Sequence, residues 1–197
     1  MTVATPVSDW HTHVLSTGSL SLSITRSARN GLFRIAERQN PKRAFLFVST
    51  VLGRHIPVRP EAHREALKAL AADTVPVLGS GPVLVMSYAE TAIGLGLGVF
   101  DELTRRLRDR SMAYLPTTRF RPADVAPWFT TREDHSHAVD HMILPPDFKG
   151  LASEPDATLV IVDDETTTGK TFSGLADGLA RMGVMPSRVA LVTLTDW

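Results

Sequence analysis

The chain has 197 residues, with 21 Lys and Arg balanced by 21 Asp and Glu, and no cysteine. That length suits one α/β domain with a proper core rather than two, and a net charge of zero leaves no global field to attract nucleic acid or an anionic membrane. Disulfides and thiolate metal sites are excluded, and with no basic-then-apolar leader and no apolar run near the ~20 residues of a membrane span the expected setting is cytoplasmic.

Met1 to Ser16 reads as irregular and polar. Leu20, Leu22 and Ile24 alternate with polar residues, which predicts a half-buried strand. Leu32, Phe33, Ile35 and Ala36 fall on one face of a short helix that must stop near Asn40 and Pro41. Phe45 to Val48 is a continuous apolar run and predicts a buried strand. It leads into Val51 to Pro57, where Gly53 permits a tight turn that presents Arg54 and His55. Lys42, Arg43, Arg54 and His55 are candidates for meeting an anionic substrate, with surface basic residues flanking a strand as the plain alternative. Pro60 opens a helix running from Glu61 to Ala72.

Val83 to Met86 predicts a strand that runs into a turn and a Gly/Ala-rich helix start from Ser87 to Gly96. Gly94, Gly96 and Gly98 at alternate positions also fit close helix–sheet packing. The helix continues through Val99, Leu103 and Leu107, and Arg105, Arg106 and Arg108 suit its negative C-terminal end. Ala113 to Arg119 is the next strand. Phe120 to Asp140 has little periodicity, and a loop of that length in a compact domain is usually functional or disordered. It contains Glu133, Asp134, His135 and His137. His137 and His141 at i, i+4 would share a helix face and with Glu133 or Asp140 could hold zinc, but proton transfer or contact with an anion by His135 or His137 fits this loop better.

Met142 to Leu144 begins a strand before the most informative stretch, Thr158 to Phe172. Leu159 to Val162 predicts a strand buried on both faces. Asp163 and Asp164 follow where it would emerge, and Thr166, Thr167, Thr168, Gly169, Lys170 and Thr171 come next. Phe172, Leu175, Ala176, Leu179 and Met182 then recur at helical spacing, with Gly183 at the C-cap position. Arg188 to Thr193 is a last strand. A Thr/Gly loop at a helix N-terminus offers unpaired N–H groups and partial positive charge to a phosphate. The two aspartates can accept hydrogen bonds from the vicinal hydroxyls of a sugar, directly or through a divalent cation such as Mg²⁺ with water between. The combination reads as a ribose 5-phosphate site. Gly169-Lys170-Thr171 ends like a P-loop, but the required earlier glycine is Asp164, whose carboxylate would repel a nucleotide's phosphates. A solvated turn with threonine caps is the plain alternative.

The run from Val160 to Thr171 resembles the phosphoribosyl-pyrophosphate (PRPP) motif of type I phosphoribosyltransferases. Asn40 to Ser49, Val51 to Pro57, Ala89 to Thr91 and Glu133 to Ala138 are similar to a bacterial subfamily found with tellurium-resistance and stress-response systems. Its members often carry a further C-terminal domain, which allows the chain to be part of a longer protein. The resemblance implies an α/β fold with a mostly parallel sheet flanked by helices and an N-terminal strand/helix addition. It divides a single domain of residues 1–197 into an N-terminal addition or hood of about 1–75 and a core of about 80–197. By order in that core, Ala89, Glu90 and Thr91 correspond to the diphosphate loop, Arg119 closes the adjacent strand, and the histidine loop folds over PRPP. Arg54 and His55 fall in the hood over the substrate base. Thr167 stands where purine-type members have an acidic residue, which is closer to the orotate-type loop.

The resemblance implies a PRPP-dependent glycosyltransferase of nucleotide metabolism. With Mg²⁺, it would displace diphosphate by a base-like nitrogen nucleophile, with small-molecule substrates and a homodimeric assembly. Two other readings keep the same pocket: a regulatory protein that senses PRPP or a nucleotide without turnover, and a hydrolase or phosphorylase that degrades nucleotides.

Overall fold

The computed structural model describes residues 10–24, 31–40, 43–132, 140–145 and 150–196. The chain divides into two compact units, Met1–His63 and Arg64–Trp197.

The first unit is built from two antiparallel hairpins. Strands β1 (Trp10–Leu15) and β2 (Gly18–Ser23) pair from Trp10 opposite Ser23 to Leu15 opposite Gly18. Strands β3 (Phe33–Glu37) and β4 (Phe45–Ser49) pair from Phe33 opposite Ser49 to Glu37 opposite Phe45. Two expectations are corrected here. Trp10–Leu15 is a strand rather than irregular, and the short helix at Leu32 to Ala36 is strand β3. The spacing of Leu32, Phe33, Ile35 and Ala36 fits a helical face, but Phe33 and Ile35 also alternate. Cross-strand aromatic packing decides the outcome, with the Phe33 and Phe47 rings meeting edge-on at 4.9 Å. The β4 strand itself falls where its apolar run predicts.

Helix α1 (Pro60–Thr74) starts on its proline and buries Ala66, Leu67, Ala69 and Ala71. In the second unit, β5 (Val83–Ser87), β6 (Met112–Pro116), β9 (Thr158–Thr166) and β10 (Arg188–Asp196) form a wholly parallel sheet in the order β10-β9-β5-β6. Helix α2 (Ile93–Arg106) covers one face and α3 (Lys170–Arg181) the other. The α2 packing is close because of its glycines. A Cβ at Gly96 would overlap the Ser87 side chain, and one at Gly98 would overlap Leu67 of α1. On the opposite face Leu84, Met86, Leu159 and Ile161 pack against Phe172, Leu175 and Leu179 of α3. Helix α3 ends in a Schellman motif: Gly183, at φ 80°, donates to the Ala180 carbonyl at 3.0 Å, and Val184 to that of Leu179 at 2.9 Å.

The long segment after Arg119 is not all loop. Strands β7 (Phe129–Arg132) and β8 (Asp140–Ile143) form an antiparallel hairpin, which an isolated bridge between Thr118 and Met142 joins to the end of β6. Phe129 sits directly over Gly178 of α3. At the amino edge of the sheet, the Asp156 carboxylate accepts bonds from the Ser80 amide and hydroxyl and from Arg188 Nε at 3.2 Å. Those bonds hold its carboxyl well below the ordinary range, at about 2. Among the described residues no helix is long and apolar enough to cross a membrane.

Candidate functional site

The parallel register defines one edge of the sheet. Ser87 lies abreast of Pro116 and of Val162, and Val162 abreast of Val192. The segments that follow, Tyr88–Ala92, Thr117–Arg119, Asp163–Gly169 and Thr193–Asp196, therefore gather at the carboxyl ends of the strands, where open α/β sheets bind ligands.

Strand β9 does not stop before the acidic pair. It continues through Thr166, because β10 runs alongside it and pairs Thr193 with Asp163, Thr195 with Glu165 and Asp196 with Thr166. Only residues 167–169 separate strand from helix, a shorter loop than the sequence implies. Strand alternation then separates the two aspartates. Asp163 follows Leu159 and Ile161 onto the α3 face, whereas Asp164 follows Val160 and Val162 onto the α2 face. Asp163 Oδ1 also accepts the Asp164 amide at 2.9 Å, which steadies the backbone between the two carboxylates. The adjacent acids thus straddle the sheet edge.

Helix α3 begins at an uncapped end. Gly169 adopts φ 69° and ψ 3°, has no side-chain cap, and would meet nothing within 4 Å if it carried a Cβ. The first helical rung runs from the Ser173 amide to the Gly169 carbonyl at 3.1 Å. The amides of Lys170, Thr171 and Phe172 precede that rung and point toward the loop. Thr167, Thr168 and Lys170 are exposed there, and Thr166 and Thr171 are half-buried. Uncapped backbone amides and hydroxyl side chains together suit an anion at this helix end.

A second turn at this edge precedes α2. Tyr88 and Ala89 are buried, Glu90 is exposed and Thr91 half-buried, and the Ala89–Glu90 peptide is cis. The Tyr88 amide donates to the Val162 carbonyl at 3.3 Å, and its phenol donates to the Thr171 carbonyl at 2.6 Å, tying this turn to the start of α3. The Ala89 amide donates to Thr117 Oγ1 at 2.9 Å. Thr117 Oγ1 is also 2.9 Å from His141 Nδ1, and Arg119 Nη2 lies 3.3 Å from His141 Nε2. Behind the turn, Ser87 and the Ile93 carbonyl hold the Tyr114 hydroxyl at 2.7 and 2.9 Å, and burial pushes that phenol above its usual range against the opposing effect of the Ser87 bond.

Of the expected site residues, the structure gathers Ala89, Glu90, Thr91, Arg119, Asp163, Asp164 and Thr166 to Thr171 at this edge. Arg54 and His55 are exposed on the Gly53 turn of the first unit. His135 and His137, with Glu133 and Lys42, lie outside the described residues. His141 is buried, and both ring nitrogens face hydrogen-bond partners, one of them a guanidinium. Among the described residues no cluster of three metal-ligating side chains occurs. Tyr88, Thr117 and the actual surroundings of His141 were not legible in the sequence, because they arise from pairing across β5, β6 and β8. The one available signal was polar Thr117 and Thr118 directly after an apolar strand.

A family model described as phosphoribosyl transferase matches residues 32–197. No curated protein matches the chain by sequence. Among solved structures, the chain is similar to adenine phosphoribosyltransferase from Thermoanaerobacter pseudethanolicus, with 15% identity over 84% of this chain and 96% of that one, and a TM-score of 0.53. It is also similar to adenine phosphoribosyl transferase from Trypanosoma brucei in complex with AMP, pyrophosphate and ribose-5-phosphate. That match has 12% identity, 84% and 76% coverage and a TM-score of 0.53. The chain spans 64% of the length of a Staphylococcus aureus hypoxanthine phosphoribosyltransferase, matched over 68% of its own residues at 13% identity and a TM-score of 0.40. At these identities the two adenine enzymes establish a shared fold.

Proposed function

Because the chain belongs to the phosphoribosyl transferase family over residues 32–197, we propose that it transfers the phosphoribosyl group of PRPP to a nitrogen nucleophile, releasing diphosphate. The observation that carries this reading is the uncapped, left-handed Gly169 turn at the head of α3, directly after the acidic pair and at the same edge as the Tyr88–Ala92 turn. The 5-phosphate is assigned to Thr166, Thr167, Thr168, Gly169, Lys170 and Thr171, and diphosphate to Ala89, Glu90, Thr91 and Arg119. The ribose then bridges the sheet edge between α3 and α2, which suits carboxylates that face opposite ways: Asp163 toward the 5-phosphate side and Asp164 toward the diphosphate side.

In the reaction the bond from C1 to diphosphate oxygen breaks and its electron pair leaves with diphosphate, while the nucleophile's lone pair forms the new N–C1 bond. Positive charge develops on the ribose as this happens, and the two carboxylates stabilise it. The nitrogen then loses its proton, for which His135 and His137 are the proposed acceptors. Hard oxygen donors on both sides of the edge fit Mg²⁺ held through water, with Asp164 nearest the diphosphate; when bound, the ion neutralises charge on the leaving group. Closure by the histidine loop would keep water from the electrophilic carbon. Arg54 and His55, on the Gly53 turn of the first unit, are proposed as substrate-binding residues. The tellurium-resistance and stress-response setting belongs to the same proposal and rests on the resemblance of four short segments.

Incubation with PRPP, Mg²⁺ and a panel of nitrogenous bases tests the reading. Diphosphate released one-for-one with a nucleotide-like product supports it. PRPP binding without diphosphate release from any base would contradict turnover and favour a sensor. Free base released from a nucleotide would favour the degradative direction.

A further inference from the structure

His141 is 1% exposed and sits at the junction of β6, the β7–β8 hairpin and the turn before α2. Its two nitrogens meet groups of different kind. Arg119 has only N–H donors and keeps its charge at any ordinary pH, so the His141 Nε2 that faces Arg119 Nη2 at 3.3 Å must present its lone pair. The ring proton is then on Nδ1 and donates to Thr117 Oγ1 at 2.9 Å. The same oxygen accepts the Ala89 amide at 2.9 Å. The ring edge also packs against Tyr88, with centroids 5.1 Å apart, and Tyr88 reaches the Thr171 carbonyl at 2.6 Å. One imidazole thus bears on both sides of the second turn.

We propose that His141 is a positioning residue: as the Nδ1-protonated tautomer it aims the Arg119 guanidinium with Nε2, and through Thr117 it fixes the Ala89 turn, so that both converge on diphosphate. This rests on the diphosphate assignment made above. It deepens that assignment by naming what holds the two binding elements in register.

Two substitutions separate the ring's two jobs. In His141→Gln the amide oxygen reaches the Nε2 position and can accept from Arg119, while His141→Asn reaches only the Nδ1 position and loses that acceptor. Calorimetric titration with inorganic diphosphate and Mg²⁺ is expected to show about tenfold weaker binding for His141→Asn, the scale of a lost bond to a charged group, with His141→Gln recovering most of it. Equal affinity in wild type and His141→Asn would overturn the proposal, as would equal losses in both variants. The second arm needs neither variant nor ligand: ¹⁵N spectra of histidine-labelled wild type should show one buried imidazole with an unprotonated Nε2 and a protonated Nδ1. An Nε2-protonated ring or an imidazolium would overturn it even if both variants failed to fold. Wild type that binds no diphosphate but shows the expected tautomer would remove the diphosphate assignment, and the positioning role with it, while leaving the hydrogen-bond geometry in place.

Discussion

At the scale of single residues, chemistry and stability separate cleanly. Asp164 is half-buried in a strand that β10 pairs, and strand alternation turns it to the α2 side, away from the cluster of Phe172, Leu175 and Leu179. Asp164→Asn is expected to lower turnover by about 100-fold, the usual scale for losing one electrostatic stabiliser, with thermal stability nearly unchanged. A diphosphate-release assay beside a melting curve checks both, and full activity would contradict the assignment. Asp156 is the opposite case, remote from the site and structural. Its folded carboxyl is held at about 2 against an ordinary 3.8, so its stabilisation is fully present above pH 3.8 and is lost as pH falls toward 2. Asp156→Asn should therefore be less stable than wild type in urea at pH 7, with the gap closing between pH 3.8 and 2. A gap independent of pH would show that the Ser80 and Arg188 bonds do not favour the charged form.

Elements were legible where one period dominated. The Leu159 to Val162 run and the helical spacing from Phe172 to Met182 identified β9 and α3, and Gly183 marked the helix end. Strand β3 is ambiguous because its four apolar residues fit a helical face while Phe33 and Ile35 also alternate, and pairing with β4 resolves it. The extension of β9 through two aspartates and a glutamate was also hidden, since acidic residues argue against a strand until β10 supplies a partner beside them. Two glycines show how differently the same residue acts. At Gly96 the obstacle is packing: Gly96→Ala would press on Ser87 beneath the Tyr88–Ala92 turn, and a loss of about 1–3 kcal/mol is expected in denaturant unfolding. At Gly169 the obstacle is conformation: Gly169→Ala meets open space but must hold φ near 69°, costing about 1–2 kcal/mol. Gly169→Asn, which tolerates that region, should recover part of the loss, and equal stability of the Ala and Asn variants would argue against the left-handed turn.

For the whole molecule, the parallel order β10-β9-β5-β6 brings four chain segments far apart in sequence to one edge. The fold class was legible because apolar strands alternate with helical patterns. The network of Tyr88, Thr117, Arg119 and His141 was not, because no local pattern encodes a contact between residues 24 positions apart such as Thr117 and His141. The account as a whole depends on the head of α3 receiving a phosphorylated sugar. Backbone amide shifts recorded during a titration with ribose 5-phosphate measure this most directly. Saturable shifts centred on the amides of Thr168 to Phe172 are the predicted result. Shifts absent there, or centred on another part of the surface, would contradict it.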